Sequence, residues 1–371
     1  MKNKITRTAE HVSEGHPDKF CDQVADRILD EVLRLAGDDQ EARTKVRTAI
    51  ECLAKDNMLI VSGEVNLPLK IWTDLNIPAL AREVWTRIGY GADGQELNVF
   101  DNIHAQSAEI ALGKDGGGVD LGDRAGDQGI MVGYATNETD EFMPREWVYA
   151  RDICMKLTEL RKNGTMPWLK SDCKSQVTID ADGEITAVIV AAQHSEEVAN
   201  EVLEGEILSR VLEKVLPTVP SRVVINGTGV FLTGGPMADA GVVGRKIVVD
   251  AYGPRVAVGG GAYSGKDPTK VDRSGAYMAR HIAKTIVVEG AEGAEECLVT
   301  LAYGIGQLQP EMVTAVTQDG RDISKWVHKR FPDLSPGAII KRFNLRQPQG
   351  WSYSDTAAYG HYGRELFPWE K

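Results

Sequence analysis

A helix, a hairpin and a second helix recur three times along this chain, and that recurrence constrains the fold more than any single motif. In the first unit, Phe20, Val24, Ile28, Val32 and Leu35 fall at helical spacing over 18–35, with Asp22, Asp26 and Asp30 on the far side, which predicts an amphipathic helix. Stretches 46–54 and 58–66 read as strands joined at Lys55-Asp56-Asn57, and Ile77, Leu80, Val84 and Ile88 give a second helix stopping at Gly89. Simple pairing about Asp56 sets Glu51 against Val61 and turns Glu64 to the other face, unless Ser62-Gly63 forms a bulge.

The unit reappears twice. A buried strand at 129–135 precedes a helix that opens near Pro144 and stops at Asn163-Gly164. Strands 174–179 and 184–192 flank the hairpin signal Asp182-Gly183, and Ser195 is placed to cap a helix running to Leu216. Strands are then expected at 222–226, 230–233 and 246–252, and Asp272 is placed to cap a helix reaching about Val288. Strands at 297–303 and 312–317 and a short helix capped by Asp322 follow. The opening helices begin near residues 18, 144 and 273, intervals of 126 and 129 residues, which predicts three related α/β modules, each with helices layered on one face of a sheet. Between the first two modules, 97–124 lacks periodicity and contains Asp115-Gly116-Gly117-Gly118, so it reads as a long loop, either functional or a plain linker.

Charge narrows the partners. With Lys+Arg 42 against Asp+Glu 54, the formal net charge is −12, which argues against nucleic acid or an anionic membrane as the main partner. Five scattered cysteines with no C-x-x-C pair indicate neither a disulfide framework nor a structural zinc site and fit a reducing, cytoplasmic setting. No apolar run approaches the roughly 18 residues of a membrane span.

Against that acidic background the stretch Gly259 to Arg273 stands out. Its glycines free backbone N–H groups to meet an oxyanion; Lys266 and Lys270 bring positive charge, and Asp267 and Asp272 are the residue type that holds Mg2+. Gly260, Gly265 and Lys266 match the spacing of a P-loop, but Asp267 stands where its Ser/Thr belongs and Pro268 blocks the helix start, so the P-loop is rejected. The stretch is either a polyphosphate site or a glycine-rich surface loop with solvated charges. His16-Pro17-Asp18 opens the first helix, where free N–H groups favour an anion; the alternative is a structural helix end. Asp127, in the glycine turn 124–129, either binds substrate or makes an Asx-turn. Asp172, Lys174, Asp239, Arg245 and Lys246 lie near other turns, where single charges are most often solvated. The absence of G-x-S-x-G, H-E-x-x-H and G-x-G-x-x-G leaves a site suited to stabilising a departing polyphosphate rather than activating an attacker.

Several longer motifs resemble those of the S-adenosylmethionine synthetases, or methionine adenosyltransferases. They are Ser13-Glu14-Gly15-His16-Pro17-Asp18-Lys19, Ala125-Gly126-Asp127-Gln128-Gly129, Gly234-Gly235-Pro236-Met237, Gly244-Arg245-Lys246, 259–268, 356–361 and Phe367-Pro368-Trp369-Glu370, which span the chain in the family's order. The resemblance implies a mixed α/β (α+β) fold of three βαββαβ domains about a pseudo-threefold axis, partly interlaced: an N-terminal domain at 1–100, a mobile active-site loop at 101–124, a central domain at 125–232 and a C-terminal domain at 233–371. It implies an enzyme that joins ATP to L-methionine, expels tripolyphosphate and hydrolyses it to pyrophosphate and phosphate. His16, Lys174, Arg245, Lys266 and Asp127 would be catalytic. Asp172, Phe231, Asp239, Lys246 and Ala262 would join His16, Lys174, Arg245 and Lys266 around the nucleotide, and Glu64, Gln106, Asp127, Asp239 and Lys270 would meet methionine. Asp18 and Asp272 would hold Mg2+, two ions per site, and Glu51 would help hold K+. The family's assembly is a homodimer sharing its active sites, or a homotetramer built as a dimer of dimers. Two departures appear: Val230 replaces an arginine in Gly227-Thr228-Gly229-Val230-Phe231, and the loop 100–124 follows a different pattern.

Overall fold

The computed structural model describes residues 5–92, 94–105 and 124–371. The first unit runs β1 (Arg7–Val12), α1 (Pro17–Ala36), β2 (Arg47–Lys55), β3 (Met58–Asn66), α2 (Ile77–Ile88) and β4 (Asn98–Ala105). The second runs β5 (Gly129–Thr136), α3 (Arg145–Lys162), β6 (Leu169–Ile179), β7 (Ile185–His194), α4 (Asn200–Ile207, prolonged by a π-helical turn at Leu208–Leu212) and β8 (Arg222–Ile225). The third runs β9 (Gly241–Val242), α5 (Val271–Val288), β10 (Glu296–Tyr303), β11 (Met312–Thr317) and α6 (Ser324–Arg330), followed by α7 (Pro336–Phe343).

The sheets interlace the units. Their orders are β1-β6-β7-β8, β11-β10-β5 and β4-β3-β2-β9. Each unit's leading strand therefore leaves its own hairpin and pairs antiparallel with another's: β1 with β6, β5 with β10, β9 with β2. The exchange is cyclic, so no module completes its sheet from its own unit alone. In the first two units the closing strand lies parallel to the hairpin's second strand, β4 on β3 and β8 on β7. One buried cluster joins α1, α5 and the sheets of the first and third units, while residues of α3, β6, β7 and α4 form a second.

The structure departs from the expectations at identifiable places. The hairpin turn has two residues, with Lys55 opposite Met58, so Glu51 faces Ser62 and Ala49 faces Glu64. Glu51 and Glu64 thus share a face with no bulge; pairing centred on Asp56 is off by one position. The stretch expected as loop from 97, and the loop segment set at 101–124, begins instead with β4, which presents Asn98, Asn102 and His104 along a sheet face open to solvent. The helix expected from Ser195 starts instead at Asn200, behind Ala199, and the Ser195 hydroxyl caps no helix among the described residues. No strand forms at 230–233, and 246–252 holds a helical turn at Ile247–Asp250 instead of a strand. That turn carries Asp250 inward to Lys19, at 2.6 Å, which an extended run would not. Asp272 sits in the first turn of α5 behind Lys270 rather than capping it, its carboxylate being engaged by Lys266.

Candidate functional site

Helix α1 organises the charged residues. Its start is fixed by His16, whose Nδ1 accepts the Asp18 N–H at 3.1 Å, and by Pro17 in the first turn. The apolar face is as expected, with Phe20, Val24, Ile28 and Val32 fully buried. The far side is not solvent. Asp18, Asp22, Asp26 and Asp30 recur every four residues, forming one stripe, and the first three are buried to 1% exposure or less.

Each carboxylate of that stripe receives backbone N–H groups from the third unit. Asp18 takes Val242 N–H at 2.9 Å and Lys246 Nζ at 2.6 Å. Asp22 takes Gly244 N–H at 2.9 Å and Lys19 Nζ at 2.9 Å. Asp26 takes Gly265 N–H at 2.9 Å, and Asp30 takes the Tyr353 and Ser354 N–H groups at 2.7 and 2.9 Å. The sequence signal was the unbroken Asp spacing, with no Lys or Arg four residues on from Asp18, Asp22 or Asp26 to neutralise it from the same helix. Apart from Lys19, which reaches Asp22 from the same helix, the row finds its partners elsewhere.

Two clusters of predicted site residues result. Around the start of α1 lie His16, Asp18, Lys246 and Arg245, the last 3.6 Å from Asp18. Burial first, then the charges of Lys246 and Lys174, lower the His16 pKa to about 2. The ring is therefore neutral, and because Nδ1 accepts, the hydrogen-bond network assigns its proton to Nε2. Asp172 is buried beside them with its carboxyl pushed up to about 6, mainly by burial. Its Oδ2 accepts Gly235 N–H at 2.8 Å, and its Oδ1 is buried with no partner among the described residues. Gly235 adopts φ +62°, and a Cβ there would overlap the Tyr90 ring. Lys174 is exposed on β6, opposite Val12, and acts on both His16 and Asp172. Asp239 is exposed with Oδ1 on Ala240 N–H, and it too bears on Asp172. Phe231 is held through its backbone by His194.

The second cluster centres on Lys266, whose Nζ lies 2.6 Å from Asp272. Gly261 gives Asp272 its space, since a Cβ there would overlap that carboxylate. Glu51, on the strand beside Lys266, has its carboxyl raised by burial against the pull of Lys266. Ala262 packs near Gly244, close to the first cluster. Lys270 is turned away: it is buried against Asp267, which also accepts Thr48 N–H at 2.9 Å and both Thr269 donors. Burial would raise the Asp267 carboxyl, yet Lys270 and Arg47 hold it below the usual range. Asp127 and Glu64 are exposed, and Asp127 accepts the N–H of its neighbour Gln128 at 2.7 Å, one residue short of an Asx-turn. Gln106 lies outside the described residues. A cavity of about 640 Å³ lies at the far end of β1, bounded by Arg7, Ile179 and Arg255, and none of these site residues lines it.

Known proteins share this chain's organisation from end to end. Residues 4–108 match a family profile described as S-adenosylmethionine synthetase, N-terminal domain; residues 122–231 match the central domain and 233–371 the C-terminal domain. A relative from Petrotoga mobilis, named S-adenosylmethionine synthase, is 42% identical over 400 aligned positions, covering 99% of this chain and 96% of that protein.

Proposed function

This chain belongs to the S-adenosylmethionine synthetase family and makes S-adenosylmethionine from ATP and methionine, and from that premise we propose how its residues divide the work. The methionine sulfur is a neutral thioether and needs no general base. The difficulty is the charge gathering on the departing tripolyphosphate, and fixed donors and cations answer it. His16, neutral and with Nε2–H free to donate, gives a hydrogen bond on the leaving-group side and transfers no proton. Lys174, Arg245, Lys246 and Lys266 receive the phosphates. Asp172 offers its orphaned Oδ1 to a nucleotide donor, and that atom is the observation carrying the assignment, because a buried acceptor without a partner costs about 1–3 kcal/mol until something donates to it. Phe231, Asp239 and Ala262 complete the nucleotide's surroundings; Glu64, Gln106, Asp127 and Asp239 serve methionine, while Lys270, buried on Asp267, is left out of that set. The same site then hydrolyses tripolyphosphate to pyrophosphate and phosphate.

The family uses metal ions, and the donor set suits them. Mg2+ keeps several waters and takes one or two carboxylates plus substrate phosphates. A lone aspartate per ion, Asp18 and Asp272, fits that habit, and no group of three or more His, Cys, Asp or Glu gathers among the described residues. Bound there, Mg2+ supplies positive charge to the phosphate oxygens. Each aspartate is now paired with a lysine assigned to phosphate, so metal on the carboxylate frees that lysine for substrate. Glu51, exposed on β2 and without an ion pair among the described residues, suits K+.

Leu53, Ile60 and Phe100 form a row across the outer sheet face and are 40%, 36% and 56% exposed, which supports a homodimer, or a tetramer of such dimers, covering that face. Among the described residues no helix is long and apolar enough to cross a membrane, in keeping with a cytoplasmic enzyme. The purified protein, incubated with ATP, methionine, Mg2+ and K+, is expected to release S-adenosylmethionine with pyrophosphate and phosphate. ADP with a phosphorylated acceptor, or no product, overturns the assignment.

A further inference from the structure

The geometry points to Asp26 and Arg273 as positioning residues for Lys266. Both are fully buried and neither reaches the site. Asp26 holds the Arg273 guanidinium bidentately, at 2.6 and 2.9 Å, and accepts the Gly265 N–H at 2.9 Å. Arg273 Nη1 also donates to the carbonyl of Lys266 at 3.1 Å. Its remaining donors go to Tyr277 Oη and Thr356 Oγ1, each at 3.0 Å, and its plane lies over the Tyr353 ring at 4.3 Å. Every guanidinium N–H is therefore used.

The consequence falls on two peptides. Gly265 has φ +82°, a conformation that favours glycine, and its carbonyl accepts Ile50 N–H at 3.1 Å while its own N–H goes to Asp26. A Cβ there would overlap the Ile50 carbonyl. The backbone leading into Lys266 is thus gripped from β2 on one side and from the Asp26–Arg273 pair on the other, and the lysine side chain alone is left to choose between Asp272 and substrate. A buried ion pair is weak as a source of stability, since apolar replacement is often neutral or better; its value here lies in fixing where one ammonium can reach. Lys could not do this in place of Arg273, because its three donors cannot serve five acceptor atoms.

The inference rests on Lys266 serving the leaving group, so the test keeps the two apart. Asp26→Leu/Arg273→Met swaps the pair for apolar side chains and should fold. Its kcat should fall by about 100-fold, as for a small misplacement of a catalytic group, with methionine KM close to wild type. Added to Lys266→Ala, it should cost nothing further, because both lesions remove one interaction. Hydrogen exchange should show the Gly265 amide losing protection while β2 keeps its own. A kcat near wild type, or losses that multiply with Lys266→Ala, overturns the inference. If the double variant does not fold, Arg273→Lys replaces it, keeping a cation on Asp26 but giving up the Lys266 carbonyl; the same fall in kcat supports the clamp and an unchanged kcat overturns it. Should Lys266→Ala itself turn over normally, the leaving-group role fails, and Gly265 exchange still tests the clamp.

Discussion

Asp172 accepts one backbone N–H, keeps a second oxygen buried without a partner, and has its carboxyl pushed from the ordinary 3.8 up to about 6 by burial. A carboxylate whose folded pKa is raised binds its proton more tightly in the native state. Its favourable share of stability is present below 3.8 and is lost as pH rises through about 6, so at neutral pH the native protein carries a penalty. A shift of this size corresponds to at most about 3 kcal/mol. Asp172→Asn should therefore be the more stable protein in urea at neutral pH, with the gap closing as pH falls through about 6, and should bind ATP more weakly. A gap that does not change with pH removes the burial account. His16 contrasts with it: both are buried at the same helix end, but His16 is a neutral base and so costs nothing at neutral pH.

At the scale of elements, glycine positions separate close packing from mere looseness. Gly133 on β5 lies so near α5 that a Cβ would overlap the backbone of Ala279, whereas no atom of the described residues lies within 4 Å of where a Gly260 Cβ would stand, and Gly260 has no positive φ. Gly133→Ala should destabilise by roughly 1–3 kcal/mol or more, as overpacking does, while Gly260→Ala should be nearly neutral; equal urea midpoints for the two would refute the packing described. The same contrast explains what the sequence could and could not disclose. The helical runs 18–35 and 77–88 and the hairpins were legible because apolar periodicity and turn residues are local. β4 was not, since Asp101 falls on the inward face with Val99 and Ile103 while Phe100 falls on the outward one, so no clean alternation shows. The destination of β1, β5 and β9 was invisible to periodicity, because pairing with another unit's hairpin is a long-range choice. The stripe of α1 misled for a related reason: Asp22 and Asp26 read as a solvated face, and only the loops at 241–246 and 264–266 make them interior. Asp172 and Lys174 could be named from the family resemblance, but the orphaned oxygen that gives Asp172 its meaning required coordinates.

For the whole molecule, the arrangement along α1 bears on assembly. Asp18 anchors the Lys246 cluster and Asp26 anchors the backbone of Lys266, eight residues further along the helix, which is about 12 Å of rise. Each cluster neutralises itself, Lys246 on Asp18 and Lys266 on Asp272. Two half-sites on one chain, together with the exposed row Leu53, Ile60 and Phe100, fit a twofold dimer in which the His16 cluster of one subunit meets the Lys266 cluster of the other. Complementation tests this directly. Asp18→Asn and Lys266→Ala should each be nearly inactive, the latter by about 100- to 1000-fold for loss of one preorganised cation. A heterodimer of the two places both lesions in one site and leaves the second site whole, so co-refolded mixtures should regain activity in proportion to the heterodimer present. If verified heterodimer stays as inactive as either parent, both clusters serve the same site within one chain, and the exposed sheet face has to be covered for some reason other than catalysis.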